Sequence, residues 1–431
     1  MLAYRSMKRD NIFIYPADPC WKRLLDGNKI KAYLLRNGYK LVNKPDNADT
    51  IIVITCAFID YTTEFALKKI AEFKKYNAEI VVGGCLPDIN REKLSKIFNG
   101  ETLKTIELDE RIEVLFPPKN NISYKEMDDA NFLYRELQQD GFFSGFKKVI
   151  QNSKTLKKLK RITSDFKFKH IARDYRVGYF LSEDQFHIRI GEGCLGKCTY
   201  CAIKKAIGKS RSKPLNECLK EFNTGLEKGY KNFILDASDI GLYGLDIGSS
   251  FPELLDELTK KPGDYKISLR ELHPNWIVKY IDELENILKR DKLLIFDISF
   301  QSMSKRILQL MKRYSDVDKI RDAVSSLMDV NCDAFFSCQF IICFPTEKFE
   351  EFHETLDFIV DMKFDGGQLF LYSCKEGTEA AEIEPKIPVE EMNRRLEYSK
   401  KFFKKNNYYV KYIYSDENKP FGLDFIKKGK N

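Results

Sequence analysis

Short, almost wholly apolar segments alternate with stretches of helical periodicity along this chain, and that alternation limits its fold more than any other feature. Asn11–Tyr15 (NIFIY), Thr50–Thr55 (TIIVIT) and Glu79–Gly83 (EIVVG) read as strands, with helices expected over Leu24–Asn37 and Thr62–Tyr76. Strands that are apolar on both faces have no side to turn to water, so they belong in a parallel sheet covered by helices. The rhythm resumes at Gln185. Phe186–Ile190, Asn232–Asp236, Tyr265–Leu269, Leu293–Ser299, Ala334–Ile342 and Gln368–Tyr372 are further candidate strands, each followed by a helical stretch. Six such units fall short of the eight that close a (β/α)8 barrel. The expected fold class is therefore α/β: an N-terminal, doubly wound parallel-sheet domain followed by a partial (β/α)6 barrel.

The expected organisation is an α/β domain over residues 1–100, a helical, basic linker or insertion over 101–180, the barrel over 181–385, and a C-terminal helix and tail over 386–431. The helix is expected at Val389–Lys405 and a strand at Tyr408–Tyr414. A chain of 431 residues can bury sizeable cores without metals or disulfides to hold them. With 43% apolar and 32% charged residues it is neither disordered nor fibrous. No apolar run approaches the roughly 20 residues of a membrane span, and the amino terminus lacks the apolar stretch of a secretory signal. A cytoplasmic protein with no membrane partner is expected. Its 11 cysteines then begin as thiols, and clusters of them point to metal or redox chemistry.

Two such clusters stand out. In GEGCLGKCTYC, Cys194, Cys198 and Cys201 are spaced CxxxCxxC just beyond the first barrel strand, at the end where parallel barrels build their sites. Three thiolates can hold three irons of a [4Fe–4S] cluster and leave the fourth iron open to a chelating amino acid. A structural zinc wants four protein ligands, and no neighbouring residue supplies the fourth. Cys20, Cys56 and Cys85 are distant in sequence, but each follows one of the N-terminal strands by one to five residues. Those positions converge outside the carboxyl ends of a parallel sheet, which makes a second three-thiolate site. The competing reading, buried core thiols, suits Cys338 and Cys343 better, since they fall in or just after an apolar strand. The four histidines form no spaced pair and none is assigned as ligand or base.

The CxxxCxφC motif with Tyr200 at φ resembles the radical S-adenosylmethionine superfamily, and Ile203–Gly208 with Arg211, Ser212 and Pro214 resembles its methylthiotransferase branch. YKNFILDASDIGLYGLDIG, FQSMSKRILQLMKRY, FIICFPTEKFEEF and YSCKEGTEAA resemble later motifs of that branch, and IIVITC and VVGGCLP resemble those of its N-terminal domain. The chain departs where the family carries glycine, at Met303, Cys343 and Thr346, and where it carries asparagine, at Arg23 and Ile54. An arginine in place of a small amide beside a cluster changes its charge environment and hence its potential. The glycine losses put side chains into space that was open.

The resemblance implies two [4Fe–4S] clusters, on Cys20/Cys56/Cys85 and Cys194/Cys198/Cys201, with S-adenosyl-L-methionine as cofactor. An electron from the second cluster would cleave that cofactor to a 5′-deoxyadenosyl radical, and the first would deliver sulfur, so that CH3S replaces H. It further implies a flavodoxin- or ferredoxin-type electron donor and a sulfur donor. Tyr200, Asp236, Asp239, Gln301, Ser302 and Glu347 match positions expected at the cofactor; for Asp236, Asp239 and Glu347, helix and loop capping is an equal reading. Known members act on a ribosomal-protein aspartate or a tRNA adenosine and end in a small β-barrel. Only 26 residues follow Lys405, too few for such a barrel, so it is expected to be missing and a polypeptide substrate is favoured. A tRNA adenosine is the alternative, and a radical enzyme without sulfur insertion the next. Between Lys147 and His170 nine Lys and Arg face one acid, Asp165, so this run carries +8, the whole net charge of the chain. It reads as a solvated helix face or as a contact for nucleic acid or an acidic peptide.

Overall fold

The computed structural model describes residues 9–131, 185–330, 333–414 and 419–429. The basic run, His170 and Cys332 lie outside them. The chain divides into two compact units, Met1–Glu183 with Ile203–Gly208, and Asp184–Ala202 with Lys209–Asn431.

The first unit is built on five parallel strands: β1 (Asn11–Ala17), β2 (Lys40–Leu41), β3 (Thr50–Thr55), β4 (Glu79–Gly84) and β5 (Glu101–Lys104), in the order β2–β1–β3–β4–β5. Every residue of β3 is buried, as its unbroken apolar run requires of a central strand. Helices Trp21–Arg36 and Asp60–Phe73 supply the crossovers. Ile12, Ile30, Leu34, Ile52 and Val81 form the core, each such side chain worth roughly 1.5–3 kcal/mol of burial. Ala17 is opposite Thr55 and Thr55 opposite Gly84, so the three central strands end side by side.

The sheet runs past the boundary expected at residue 100. β5 and the helix Leu108–Leu115 continue the βα rhythm where a linker was expected. β5 is a four-residue edge strand (ETLK) in which only Leu103 is buried. Its polar alternation does not resemble the solid apolar runs of the inner strands.

The second unit holds a sheet in the order β14–β15–β13–β12–β11–β10–β9–β6. The six parallel strands are β6 (Gln185–Arg189), β9 (Asn232–Asp236), β10 (Lys266–Leu272), β11 (Leu293–Gln301), β12 (Phe335–Ile342) and β13 (Gly366–Leu371). They are the expected six, and the sheet does not close. The two-residue pair β7 (Gly191–Glu192) and β8 (Arg211–Ser212) joins the ends of the first loop. The core is aromatic: Phe186, Phe222, Phe233, Phe296, Phe300 and Phe340 are fully buried, with offset and edge-on ring contacts such as Phe222–Phe233 at 4.4 Å. Cys218, Cys338 and Cys343 are buried within it.

The helix Val389–Lys405 leads into β14 (Tyr408–Tyr414), and β15 (Pro420–Lys427) then pairs antiparallel with both β14 and β13. The tail thus extends the barrel sheet by a hairpin. β15 was not expected, because Gly422 and Asp424 interrupt its apolar pattern. Gly422 is needed there: a Cβ would lie 2.4 Å from the Leu369 carbonyl oxygen.

Candidate metal centres

In the first unit, Cys56 and Cys85 follow the last residues of β3 and β4 directly, and Cys20 follows β1 by three residues as the N-cap of Trp21–Arg36. The in-register strand ends therefore carry the three sulfurs to one edge of the sheet. Gly84 fixes the turn into Cys85. Its φ is +95°, and a Cβ would lie 2.2 Å from the Thr55 carbonyl oxygen, so no side chain fits. Cys56 and Cys85 are buried. The Cys20 thiol is pulled down to about 6, first by its hydrogen bond with Cys56 and further by the charge of Arg23. Cys56 is pushed well up by that same bond and by burial, and burial takes Cys85 up to about 11.

In the second unit, the loop after β6 is held at both ends and in its middle. Gly193 has φ +76° and faces the Lys209 carbonyl oxygen, which a Cβ would approach to 1.9 Å. The Thr199 N–H donates to the Met311 carbonyl (3.1 Å), its hydroxyl donates to the Leu310 carbonyl (2.8 Å), and its own carbonyl accepts from Ala380 N–H (3.0 Å). Between these anchors, Gly196 N–H donates to Cys194 Sγ at 3.2 Å. A Cβ on Gly196 would lie 3.1 Å from Cys194 Sγ and 3.7 Å from Cys198 Sγ, so glycine keeps clear the space the two sulfurs face. Burial pushes the Cys194 thiol up to about 11.

Two residues that sequence reasoning missed complete this site. Arg313 places Nη1 3.8 Å from Cys198 Sγ and within 2.8–2.9 Å of the His273 ring nitrogens, and Nη2 donates to the Ser299 carbonyl. His273 Nδ1 is 3.1 Å from Asp239 Oδ2. Burial, and then Arg313, hold the imidazole well below its usual value, so it is neutral. Asp239 also accepts from Trp276 Nε1 (3.0 Å) and Gly241 N–H (3.2 Å), and burial raises its carboxyl to about 6. His273 follows β10 by one residue. The strand-end rule that located the cysteines applies to it equally.

The other expected cofactor residues separate. Tyr200, half-buried, packs with Ile307, Met311, Phe344 and Tyr372, and desolvation pushes its hydroxyl well up. Asp236 is only 1% exposed and bonded at 2.8 Å to His187 Nδ1. Ser302 accepts from Ser304 N–H at 3.2 Å, a local cap, while Gln301 ends β11 at φ +74°. Glu347 Oε2 is bound by Cys343 N–H (2.7 Å) and Arg395 Nη1 (3.0 Å), and its buried Oε1 has no hydrogen-bond partner. Of the three residues standing for glycines, two keep a left-handed backbone, Cys343 at φ +63° and Thr346 at φ +66°, and Met303 does not. The Cys343 side chain is turned into the core and 1% exposed, and Thr346 Oγ1 accepts from Arg306 Nη1 at 3.1 Å. The β-branched Thr346 is strained there.

Among the described residues no three His, Cys, Asp or Glu converge as ligands of a single metal ion do. A four-iron cube asks for one thiolate per iron, and the two cysteine trios fit that group, the barrel trio with space kept clear by Gly196. A cleft of 560 Å³ against Lys74, Glu79 and Phe98 lies where β4 begins and contains no cysteine or histidine.

The chain is similar to several known proteins. Residues 188–359 match the radical SAM superfamily, and residues 19–103 match the uncharacterized protein family UPF0004. The ribosomal protein uS12 methylthiotransferase RimO of Chlamydia pneumoniae is 30% identical over 398 residues, covering 90% of this chain and 76% of the relative. The probable threonylcarbamoyladenosine tRNA methylthiotransferase of Archaeoglobus fulgidus is 26% identical over 366 residues, covering 84% and 77%. Among solved structures, the radical S-adenosylmethionine methyltransferase TsrM of Kitasatospora setae, with cobalamin and a [4Fe-4S] cluster bound, aligns with a TM-score of 0.59 at 10% identity, over 98% of this chain and 88% of that one. At that identity the likeness is one of fold.

Proposed function

The chain belongs to the methylthiotransferase family of radical S-adenosylmethionine enzymes, and from that premise we propose that it replaces a C–H hydrogen of a polypeptide with a methylthio group, using Cys194, Cys198 and Cys201 for one [4Fe–4S] cluster and Cys20, Cys56 and Cys85 for the other. The observation that carries the reading is the placing of two cysteine trios beyond the carboxyl ends of parallel strands, Cys20, Cys56 and Cys85 after β1, β3 and β4, and Cys194, Cys198 and Cys201 in the loop after β6. When bound, the two clusters and S-adenosylmethionine supply the radical that takes the hydrogen and the sulfur and methyl group that replace it.

The protein's own residues bind and orient. Gly196 N–H bonds one sulfur of the barrel trio, and Arg313 sets a half-buried cation against another. Neutral His273 keeps Arg313 and Asp239 in register without adding charge. Tyr200 and the aromatic pair Phe344–Tyr372, 5.4 Å apart, form an apolar wall that excludes water from a site built for radicals.

A polypeptide substrate is supported by the 30%-identical relative, whose name gives a ribosomal protein as its target. Outside Lys147–His170 the charges of the chain balance, so its net positive charge is confined to that run. An electron donor of flavodoxin or ferredoxin type and a separate sulfur source complete the reading. The described cysteines are all free thiols, in keeping with a reducing cytoplasm, and among the described residues no helix is long and apolar enough to cross a membrane. The test is anaerobic incubation of the reconstituted enzyme with methyl-labelled S-adenosylmethionine and a cell extract later split into protein and tRNA. Label is expected in protein. Label confined to tRNA overturns the substrate assignment.

A further inference from the structure

We propose that Arg23, acting through Thr105, is a positioning residue that favours the reduced form of the cluster held by Cys20, Cys56 and Cys85. The inference rests on that ligand assignment. Arg23 sits in the first turn of the helix that Cys20 caps, and its side chain is 7% exposed. A cation buried so deeply costs several kcal/mol unless it is paired. Its partners run in a line toward the sulfurs. Nη1 lies 2.7 Å from Asp26 Oδ2, itself buried, and donates to the Thr105 hydroxyl oxygen. Thr105 follows β5 as Cys85 follows β4, and Gly84 is in register with Lys104, so Thr105 stands beside Cys85 at the strand ends. A hydroxyl has one proton, so an oxygen that accepts from Arg23 keeps its own proton for the sulfur. The guanidinium charge bears on both Cys20 and Cys85.

A four-iron core on three thiolates becomes more negative by one unit when it takes up an electron. A buried cation, and a hydroxyl donating to a ligand sulfur, both favour that state over the oxidised one. Asp26 opposes them, because it presents negative charge to the same cation. A purely structural role for the line, fastening the helix to the strand end at Thr105, makes no such distinction of sign.

The test uses the full chain with Cys194, Cys198 and Cys201 replaced by Ala and reconstituted with iron and sulfide, so that only one cluster is present. Its midpoint potential is read by dithionite titration followed by electron paramagnetic resonance, one electron passing from dithionite to each cluster. Arg23→Gln and Thr105→Val are each expected to lower the reduction equilibrium constant about tenfold, which is about 59 mV for a one-electron couple. Arg23→Lys should restore most of the Arg23→Gln shift, and Asp26→Asn should move the potential upward. Unchanged potentials in loaded Arg23→Gln and Thr105→Val, or shifts of the same sign in Arg23→Gln and Asp26→Asn, overturn the proposal. If Arg23→Gln fails to load, Thr105→Val, which removes only a hydroxyl, decides. If neither loads, the pair serves the fold and the proposal is wrong. A parent protein that binds no iron overturns the ligand assignment instead, and this inference with it.

Discussion

Replacing Arg395 with Met is expected to unfold the barrel at a markedly lower temperature, with a deficit that grows as pH rises. Arg395 is 6% exposed and Glu347 1%. The guanidinium bonds Glu347 Oε2 and the Glu347 carbonyl, each at 3.0 Å, and Glu391 Oε1 at 2.9 Å. Met keeps an apolar stem of similar length, but it loses the guanidinium that lies 5.5 Å over the Phe352 ring and leaves the buried carboxylate with Cys343 N–H alone. Breaking a buried pair from one side costs about 3–5 kcal/mol. For a unit of this size that is roughly 10 °C in Tm. Burial already raises the Glu347 carboxyl to about 7 from 4.5. Between those values the folded state holds a proton that the unfolded chain has released, so stability falls as pH rises through this window. Without Arg395 the folded value moves higher still, so the mutant's deficit is larger at pH 8 than at pH 6. Thermal melts in a Trp21→Phe background, where Trp276 is the remaining tryptophan, report the barrel alone. The double variant Arg395→Met/Glu347→Gln should recover about half the loss, because no charge is left stranded. An unchanged midpoint, or a deficit equal at both pH values, would refute the reasoning.

Other consequences are equally direct. The triple substitution of Cys194, Cys198 and Cys201 by Ala should remove half the bound iron and abolish 5′-deoxyadenosine formation; continued reductive cleavage of S-adenosylmethionine by that protein would reject the assignment. Gly193→Ala should cost the barrel site its iron, read by iron analysis, because the new Cβ meets the Lys209 carbonyl oxygen at 1.9 Å; full iron content would show that the loop tolerates it. In a salt titration with purified tRNA, a variant lacking Lys154, Lys157, Lys158 and Lys160 should bind as weakly as the parent; tight parental binding lost in the variant, with a salt slope flattened by up to about one unit per lysine, would restore the tRNA reading.

What the sequence disclosed and what it hid differ in kind. Cys20, Cys56 and Cys85 were legible because parallel strands in register must end together, so each residue just past a solid apolar run shares an edge with the others. β5 and β15 were not, since a short edge strand such as ETLK and a glycine-bearing strand such as PFGLDFIK lack that run. Asp236 and Asp239 looked alike in sequence. The first closes β9 against His187 and the second reaches His273 and Trp276, a difference fixed by which neighbours the fold supplies. Arg313 lay inside a segment already singled out, but its role depends on Cys198 and His273, which are distant in the chain. Cys343 and Thr346 were expected to put side chains into space left open by glycine, yet the Cys343 side chain is turned into the core. The left-handed turn persists, held by Glu347 and by Arg306.

The measurement that tests the two-cluster account most directly is product analysis of the full chain with Cys20, Cys56 and Cys85 changed to Ala. The account predicts half the iron, continued formation of 5′-deoxyadenosine, and no exchange of H for CH3S on any polypeptide. Full iron content, or methylthiolation at the parental rate, would contradict it and return those cysteines to the core.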